Sequence, residues 1–146
     1  MKLGFTVVAL VAGTTMAIAQ DGQLIPYDDP QAVSAGEPIY VEMCASCHGA
    51  DLEGEPDWRT PHPDGMAKAP PHDETGHTWH HPDIQLALLT KFGVSEMEGN
   101  GYESNMPGFG DVLSDSEILA VLAYIKSTWP DEVIARHNEI NAANAQ

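Results

Sequence analysis

Apolar residues recur at helical spacing in three stretches of this chain, and no stretch alternates between apolar and polar residues as a half-buried strand does. The first stretch covers residues 31–47, where positions 33, 36, 40, 43 and 47 follow one another at three- and four-residue steps. An interior proline breaks a helix, and Pro38 stands inside this stretch. The first helix is therefore expected either over all of residues 31–47 or only from Glu37 onward, with Pro38 in its first turn.

The second stretch predicts a helix over residues 82–92. Pro82 suits the first helical position, Asp83 suits the positive end of the helix dipole, and Gly93 follows as a stop signal. One face of this helix is formed by Ile84, Leu88 and Phe92.

The third stretch predicts the clearest helix, over residues 115–128. Ser114-Asp115-Ser116-Glu117 is a capping-box pattern directly before it, and Pro130 limits its end. Its apolar positions are Ile118, Leu119, Val121, Leu122 and Ile125. The tail from Asp131 is expected to form a short helix or to fray. We therefore expect an all-α fold of three to four helices joined by long loops.

Residues 1–19 have the pattern of a secretory signal peptide. Lys2 is followed by an apolar run over residues 3–12 and by the small-x-small sequence Ala17-Ile18-Ala19. A membrane span needs about 20 apolar residues, so an uncleaved anchor is the weaker alternative. Cleavage after Ala19 leaves 127 of the 146 residues, a length that predicts one domain. We expect no transmembrane segment in the mature chain.

Acidic residues outnumber basic residues by 22 to 6, which gives a net charge of −16. Cleavage after Ala19 removes one lysine and no acid, so the mature chain carries −17. This charge argues against nucleic acid and anionic membranes as partners, and it favours a protein partner with a basic docking face. The alternative is that the acidity only keeps a secreted protein soluble. We expect a monomer.

The only two cysteines stand in Cys44-Ala45-Ser46-Cys47-His48, the attachment sequence for haem c. Each cysteine can form a thioether with a haem vinyl group, and His48 is then placed to bind the iron as proximal ligand. Two cysteines alone would also fit a redox dithiol, a disulfide or half of a zinc site. The adjacent histidine and the export signal favour one covalent haem c.

Met106 is predicted to be the second axial ligand of the iron. It lies in Asn105-Met106-Pro107-Gly108-Phe109-Gly110, a loop rich in proline and glycine that could cross the opposite face of a haem. A thioether is a soft, neutral ligand that raises the reduction potential. Met43 fits core packing instead, and Met66 and Met97 are less well placed. A histidine of residues 72–81 is the rival ligand.

Four histidines cluster at positions 72, 77, 80 and 81, around Trp79. We expect Trp79 and one or two of these histidines to donate hydrogen bonds to the haem propionates, with Arg59 as a basic alternative. The other hypothesis is a copper or zinc site.

Residues 35–129 resemble a class I, monohaem cytochrome c of the bacterial periplasm. The resemblance rests on Cys44-x-x-Cys47-His48, Met106-Pro107-x-Phe109, Leu113-Ser114-Asp115 and Ala120-Val121-Leu122-Ala123-Tyr124-Ile125. It implies that the first and last helices cross where Gly36 and Tyr40 meet Tyr124. It also implies a proline carbonyl, of Pro70 or Pro71, that accepts the Nδ1–H of the proximal histidine. The loop between His48 and Pro70 is longer than in the simplest members.

The expected organisation is a signal peptide over 1–19, an N-terminal arm over 20–34, a cytochrome c domain over 35–129 and a tail over 130–146. The expected function is one-electron transfer in the periplasm by a protein that is not an enzyme. Two alternatives stay open. The chain could be the haem subunit of a dehydrogenase or oxidase complex, or a ligand-binding or enzymatic haem protein with an open sixth site.

Overall fold

The computed structural model describes residues 22–145. This part of the chain contains six helices and no strand: α1 Pro30–Met43, α2 Ala45–His48, α3 Asp83–Phe92, α4 Val94–Glu98, α5 Asp115–Ser127 and α6 Asp131–Asn144. A 3₁₀ turn covers Thr78–His80. The all-α fold is confirmed, with more helices than the three to four expected. The predicted signal peptide lies outside the described residues, as do residues 20, 21 and 146.

Helix α1 begins at Pro30, so the expected later start at Glu37 is wrong. The Asp29 side chain caps it by accepting the backbone N–H of Gln31 at 2.9 Å. Pro38 stands inside the helix and leaves one backbone carbonyl, four residues earlier, without its donor. The carbonyl without a donor belongs to Ser34. Pro30, Ser34 and Pro38 are all exposed, so water can hydrate that carbonyl. The predicted arm is therefore non-helical only up to residue 29.

Helices α1 and α5 cross in close contact, and the predicted crossing is confirmed. A Cβ atom on Gly36 would overlap the backbone carbonyl of Ala120, so only glycine allows this approach. The rings of Tyr40 and Tyr124 lie 5.5 Å apart beside it. The crossing is the centre of the core, whose buried apolar residues include Leu86, Leu113, Ile118, Val121, Leu122, Ile125 and Trp129.

Helix α5 follows its prediction to within one residue at its end. Ser114 accepts the Glu117 N–H while the Glu117 side chain accepts the Ser114 N–H, which is the predicted capping box. Helix α3 begins one residue later than predicted and buries Leu86 and Thr90. The predicted apolar face is turned outward in part, since Ile84 is 51% and Phe92 is 49% exposed.

The tail forms a helix as long as α1, which corrects the expectation of a short or frayed segment. The fully buried side chains of α6 are polar, His137 and Asn141. Asn141 makes two hydrogen bonds with the first residue of α3: its Oδ1 accepts the Asp83 N–H at 2.7 Å, and its Nδ2 donates to Asp83 Oδ1 at 2.9 Å. Polar contacts thus fix α6 to the rest of the fold.

Asp83 is completely buried and joins four parts of the chain. Its Oδ2 accepts the backbone N–H groups of Leu24 at 2.7 Å and Ile25 at 2.8 Å, so it also holds the N-terminal segment. The equally buried Lys126 of α5 lies 3.5 Å from Oδ1. Burial lowers the pKa of Lys126, and the Asp83 carboxylate opposes that change. Within residues 22–145, every helix is too short or too polar to span a bilayer.

Candidate haem-binding site

The two cysteines stand at a break between α1 and α2. Helix α1 ends at Met43 rather than at Cys47 as predicted, because the backbone turns at Cys44. The Cys44 carbonyl accepts the backbone N–H groups of both Cys47, at 3.1 Å, and His48, at 2.9 Å. One tight backbone turn therefore brings Cys44, Cys47 and His48 together.

Neither Cys44 nor Cys47 takes part in a disulfide in this structure. Burial, with Cys47 close by, raises the pKa of the half-buried Cys44 thiol to about 11. A redox dithiol instead needs a thiol whose pKa is lowered. In the described part of the chain, no group of three or more His, Cys, Asp or Glu side chains is arranged to hold a metal ion.

His48 is buried and bound through one ring nitrogen. Its Nδ1 lies 2.8 Å from the carbonyl oxygen of Pro70 and donates to it. Burial lowers the pKa of His48, which favours the neutral ring. A neutral imidazole that donates through Nδ1 carries its lone pair on Nε2, as a metal ligand must. Of the two candidate prolines, Pro70 makes this contact, while the Pro71 carbonyl lies 3.4 Å from the Thr78 hydroxyl.

The long loop after His48 is closed at its base, and this lets Pro70 return to the imidazole. Glu55 N–H donates to the Ala69 carbonyl at 2.9 Å, and Ala69 N–H donates to the Glu55 carboxylate at 2.7 Å. That second bond lowers the pKa of Glu55. Residues 56–68 therefore form a loop whose two ends are held together.

Gly54 is a site residue that sequence reasoning missed. It has a φ of +69°, and a Cβ atom there would overlap the backbone where Pro70 joins Pro71. The proline segment can approach His48 only because residue 54 has no side chain. The sequence signal was a glycine directly before the polar loop, which local turn chemistry alone would also explain.

His72 packs against His48. The two imidazole rings are stacked, with centroids 3.9 Å apart and planes 24° from parallel. His72 Nδ1 lies 2.8 Å from the Thr78 hydroxyl. Burial, followed by the neighbouring His48 and His77, lowers the pKa of His72 well below its usual value. This contact was not predicted from the sequence.

The other residues of the predicted cluster make separate contacts. Trp79, expected on a propionate, donates its indole N–H to the Glu74 carbonyl at 3.2 Å. His77 stacks on Trp58 at 5.3 Å, and the Arg59 guanidinium lies 4.3 Å from the centre of the same Trp58 ring. His77 Nδ1 is buried with no hydrogen-bond partner among the described residues. His77 and Arg59 therefore keep donors for an anionic group, whereas Trp79 has used its own.

The Met106 loop is anchored on the end of α3. Phe109 N–H donates to the Thr90 carbonyl at 2.9 Å, and Pro107 pairs with Gly93 as an isolated antiparallel bridge. A Cβ atom on Gly93 would lie 2.6 Å from the backbone nitrogen of residue 108, so the loop and the helix end are in direct contact. The Met106 side chain is half-buried. Its role as iron ligand stays a prediction.

These side chains fit a covalent haem. Two thiols lie on the same turn as an imidazole whose Nε2 makes no hydrogen bond with the described residues, and the Met106 thioether lies on a loop anchored to the end of α3.

Comparison with known proteins gives one match. A family model described as Cytochrome c matches residues 33–129, two residues more than the predicted 35–129. Searches of curated proteins and of solved structures found no match. The matched span covers most of the chain and contains both cysteines, His48 and Met106. The chain therefore belongs to the cytochrome c family, whose members bind haem covalently and carry electrons.

Proposed function

We propose that this chain is a class I, monohaem cytochrome c that carries single electrons in the bacterial periplasm, with His48 and Met106 as the axial ligands. The observation that carries the proposal is the His48 ring, which donates through Nδ1 to Pro70 at 2.8 Å directly beside two free thiols. When bound, haem c supplies an iron that accepts and releases one electron.

The protein side chains have separate tasks in this proposal. Cys44 and Cys47 hold the cofactor covalently, so it is not lost on oxidation or reduction. Pro70 keeps His48 in the tautomer that presents Nε2. Met106 would supply the second protein ligand to the iron, which would leave no site for a substrate and would favour the reduced state. A closed coordination shell that is the same in both oxidation states favours fast electron transfer over catalysis.

The pattern of residues 1–19 and the net charge support the proposed location and the proposed kind of partner. Residues 1–19 have the pattern of an export signal, and c-type haem is attached outside the bacterial inner membrane. A mature charge of −17 supports a redox partner with a basic docking face. We propose that the mature protein is a monomer.

Replacement of Met106 tests the ligand assignment. In the haem-loaded full chain, Met106→Ala is expected to keep covalent haem, lose the weak methionine–iron absorption band at the red edge of the visible spectrum, lower the reduction potential and bind carbon monoxide. Met97→Ala is the matched control, because Met97 is a nearby exposed methionine on α4. It should leave the spectrum and the potential unchanged.

An unchanged spectrum and potential in Met106→Ala would show that another residue binds the iron. Binding of carbon monoxide by the unaltered protein would favour the alternative of a ligand-binding or enzymatic haem protein with an open sixth site.

A further inference from the structure

Two contacts hold the His48 imidazole, one at its edge and one at its face. At the edge, Nδ1 donates to the Pro70 carbonyl at 2.8 Å. That hydrogen bond holds one edge of the ring and does not touch its face. At the face, the His72 ring lies 3.9 Å away and 24° from parallel, so it restricts tilting of the His48 ring. Together the two contacts define the plane of the His48 ring.

Three hydrogen bonds hold His72 in place, so its ring offers a fixed surface to His48. Its backbone N–H donates to the Leu52 carbonyl at 2.8 Å, and its carbonyl accepts the Trp129 indole N–H at 2.7 Å. Its ring Nδ1 donates to the Thr78 hydroxyl oxygen at 2.8 Å. That hydroxyl donates in turn to the Pro71 carbonyl at 3.4 Å, which makes the chain of donors consistent.

We propose that His72 is a positioning residue for the axial ligand: its stacked ring sets the plane in which the His48 imidazole binds the haem iron. The inference rests on the proposed function, in which His48 is that ligand. A partner that orients a ligating histidine is common, but it usually acts through a hydrogen bond to the ring nitrogen. Here Pro70 provides the hydrogen bond and His72 adds a second constraint on the face of the ring.

The plane of an axial imidazole has a spectroscopic signature. It decides which iron d orbital overlaps the ring π system, and hence the g values of the ferric protein and the order of the four haem-methyl proton resonances. A side chain at position 72 that no longer lies flat against His48 should change these signals. A flat ring at position 72 should therefore differ from a branched aliphatic side chain of similar bulk.

The experiment compares His72→Phe, His72→Leu and His72→Ala in the haem-loaded full chain, by electron paramagnetic resonance and proton NMR of the ferric state. His72→Leu and His72→Ala are expected to shift the largest g value and to reorder or broaden the haem-methyl resonances. His72→Phe, which keeps a flat face, should stay near the wild-type pattern. His80→Ala is the control, because His80 is exposed and packs on Trp79.

Wild-type g values and methyl order in both His72→Leu and His72→Ala would overturn the proposal. Should His72→Ala fail to fold, the Leu and Phe variants decide the question, and identical signals from those two would overturn it. A wild-type protein without the low-spin signals of an imidazole-ligated haem is a different result, since it contradicts the proposed function as well.

Discussion

His137 shows how a single buried residue can make this fold sensitive to pH. Its Nε2 donates to the His81 carbonyl at 2.8 Å, and its Nδ1 is buried with no partner among the described residues. Burial, and then the charge of Lys126, lower the pKa of His137 from 6.5, while Asp83 at 3.4 Å opposes the change. A proton added at Nδ1 would therefore have no acceptor and a cation nearby.

The sign of the pH effect follows from the lowered pKa. Below pH 6.5 the unfolded chain binds a proton that the folded chain excludes, so this contribution to stability is complete above pH 6.5 and is lost as the pH falls. His137→Phe is expected to flatten the dependence of the unfolding free energy on pH between 6.5 and 5, by at most about 1.4 kcal/mol per pH unit. Denaturant titrations at several pH values measure it. His80→Phe, at an exposed position, should keep the wild-type slope.

At the scale of elements, the crossing of α1 and α5 depends on one glycine. Gly36→Ala places a methyl group on the Ala120 carbonyl, which is backbone and cannot rotate away. The helices must separate, and overpacking of this kind costs about 1–3 kcal/mol. Thermal or denaturant unfolding of the haem-loaded protein measures the loss. Ser34→Ala, at an exposed position of the same helix, should change stability by less than about 0.5 kcal/mol, and an equal effect of the two changes would contradict this prediction.

Elements with local signals were predicted well. Helix α5 begins where the Ser114–Glu117 capping box places it, and α3 begins within one residue of its prediction. Helix α6 was underestimated because its fully buried side chains are the polar His137 and Asn141, whose partners lie more than fifty residues away. Val133 and Ile134 add only partly buried apolar contacts with the core. The start of α1 was uncertain because sequence alone does not show that Pro38 faces solvent.

The site was predictable to a similar extent. Cys44, Cys47 and His48 could be identified because they stand together in the sequence. Pro70 was one of two candidate prolines for the hydrogen bond to His48. The stacking of His72 on His48 was not predicted, because four histidines within ten residues look like one cluster. In the structure, the His72 ring stacks on His48 and the His77 ring stacks on Trp58. The directions of side chains on an irregular loop depend on tertiary contacts, which spacing does not encode.

The whole molecule carries a strongly negative field that should act on its partner. A field of this kind speeds encounter with an oppositely charged protein by roughly 10- to 1,000-fold at low salt. The screening length falls from about 30 Å at 0.01 M salt to about 10 Å at 0.1 M. We therefore expect the second-order rate of electron transfer to the partner to fall steeply over this range, as measured by stopped-flow absorption.

Charge reversals locate the docking face. Glu42, Glu103 and Asp111 are exposed and lie near Cys44 or Met106 in the sequence, so Lys at these positions should slow the reaction most. Glu139→Lys, on the exposed side of α6, is the control with the same change in charge. A rate that is flat or rises with salt would mean that the acidity serves solubility alone and that docking is apolar.

The buried position of Asp83 also limits how modular this protein can be. The carboxylate and Lys126 lie inside the span that the family model matches, whereas Leu24, Ile25 and Asn141 lie outside it. A version trimmed to residues 33–129 would lack these partners and would open the Asp83–Lys126 pair to water. The flanking segments therefore keep the pair buried, although they lie outside the family signature.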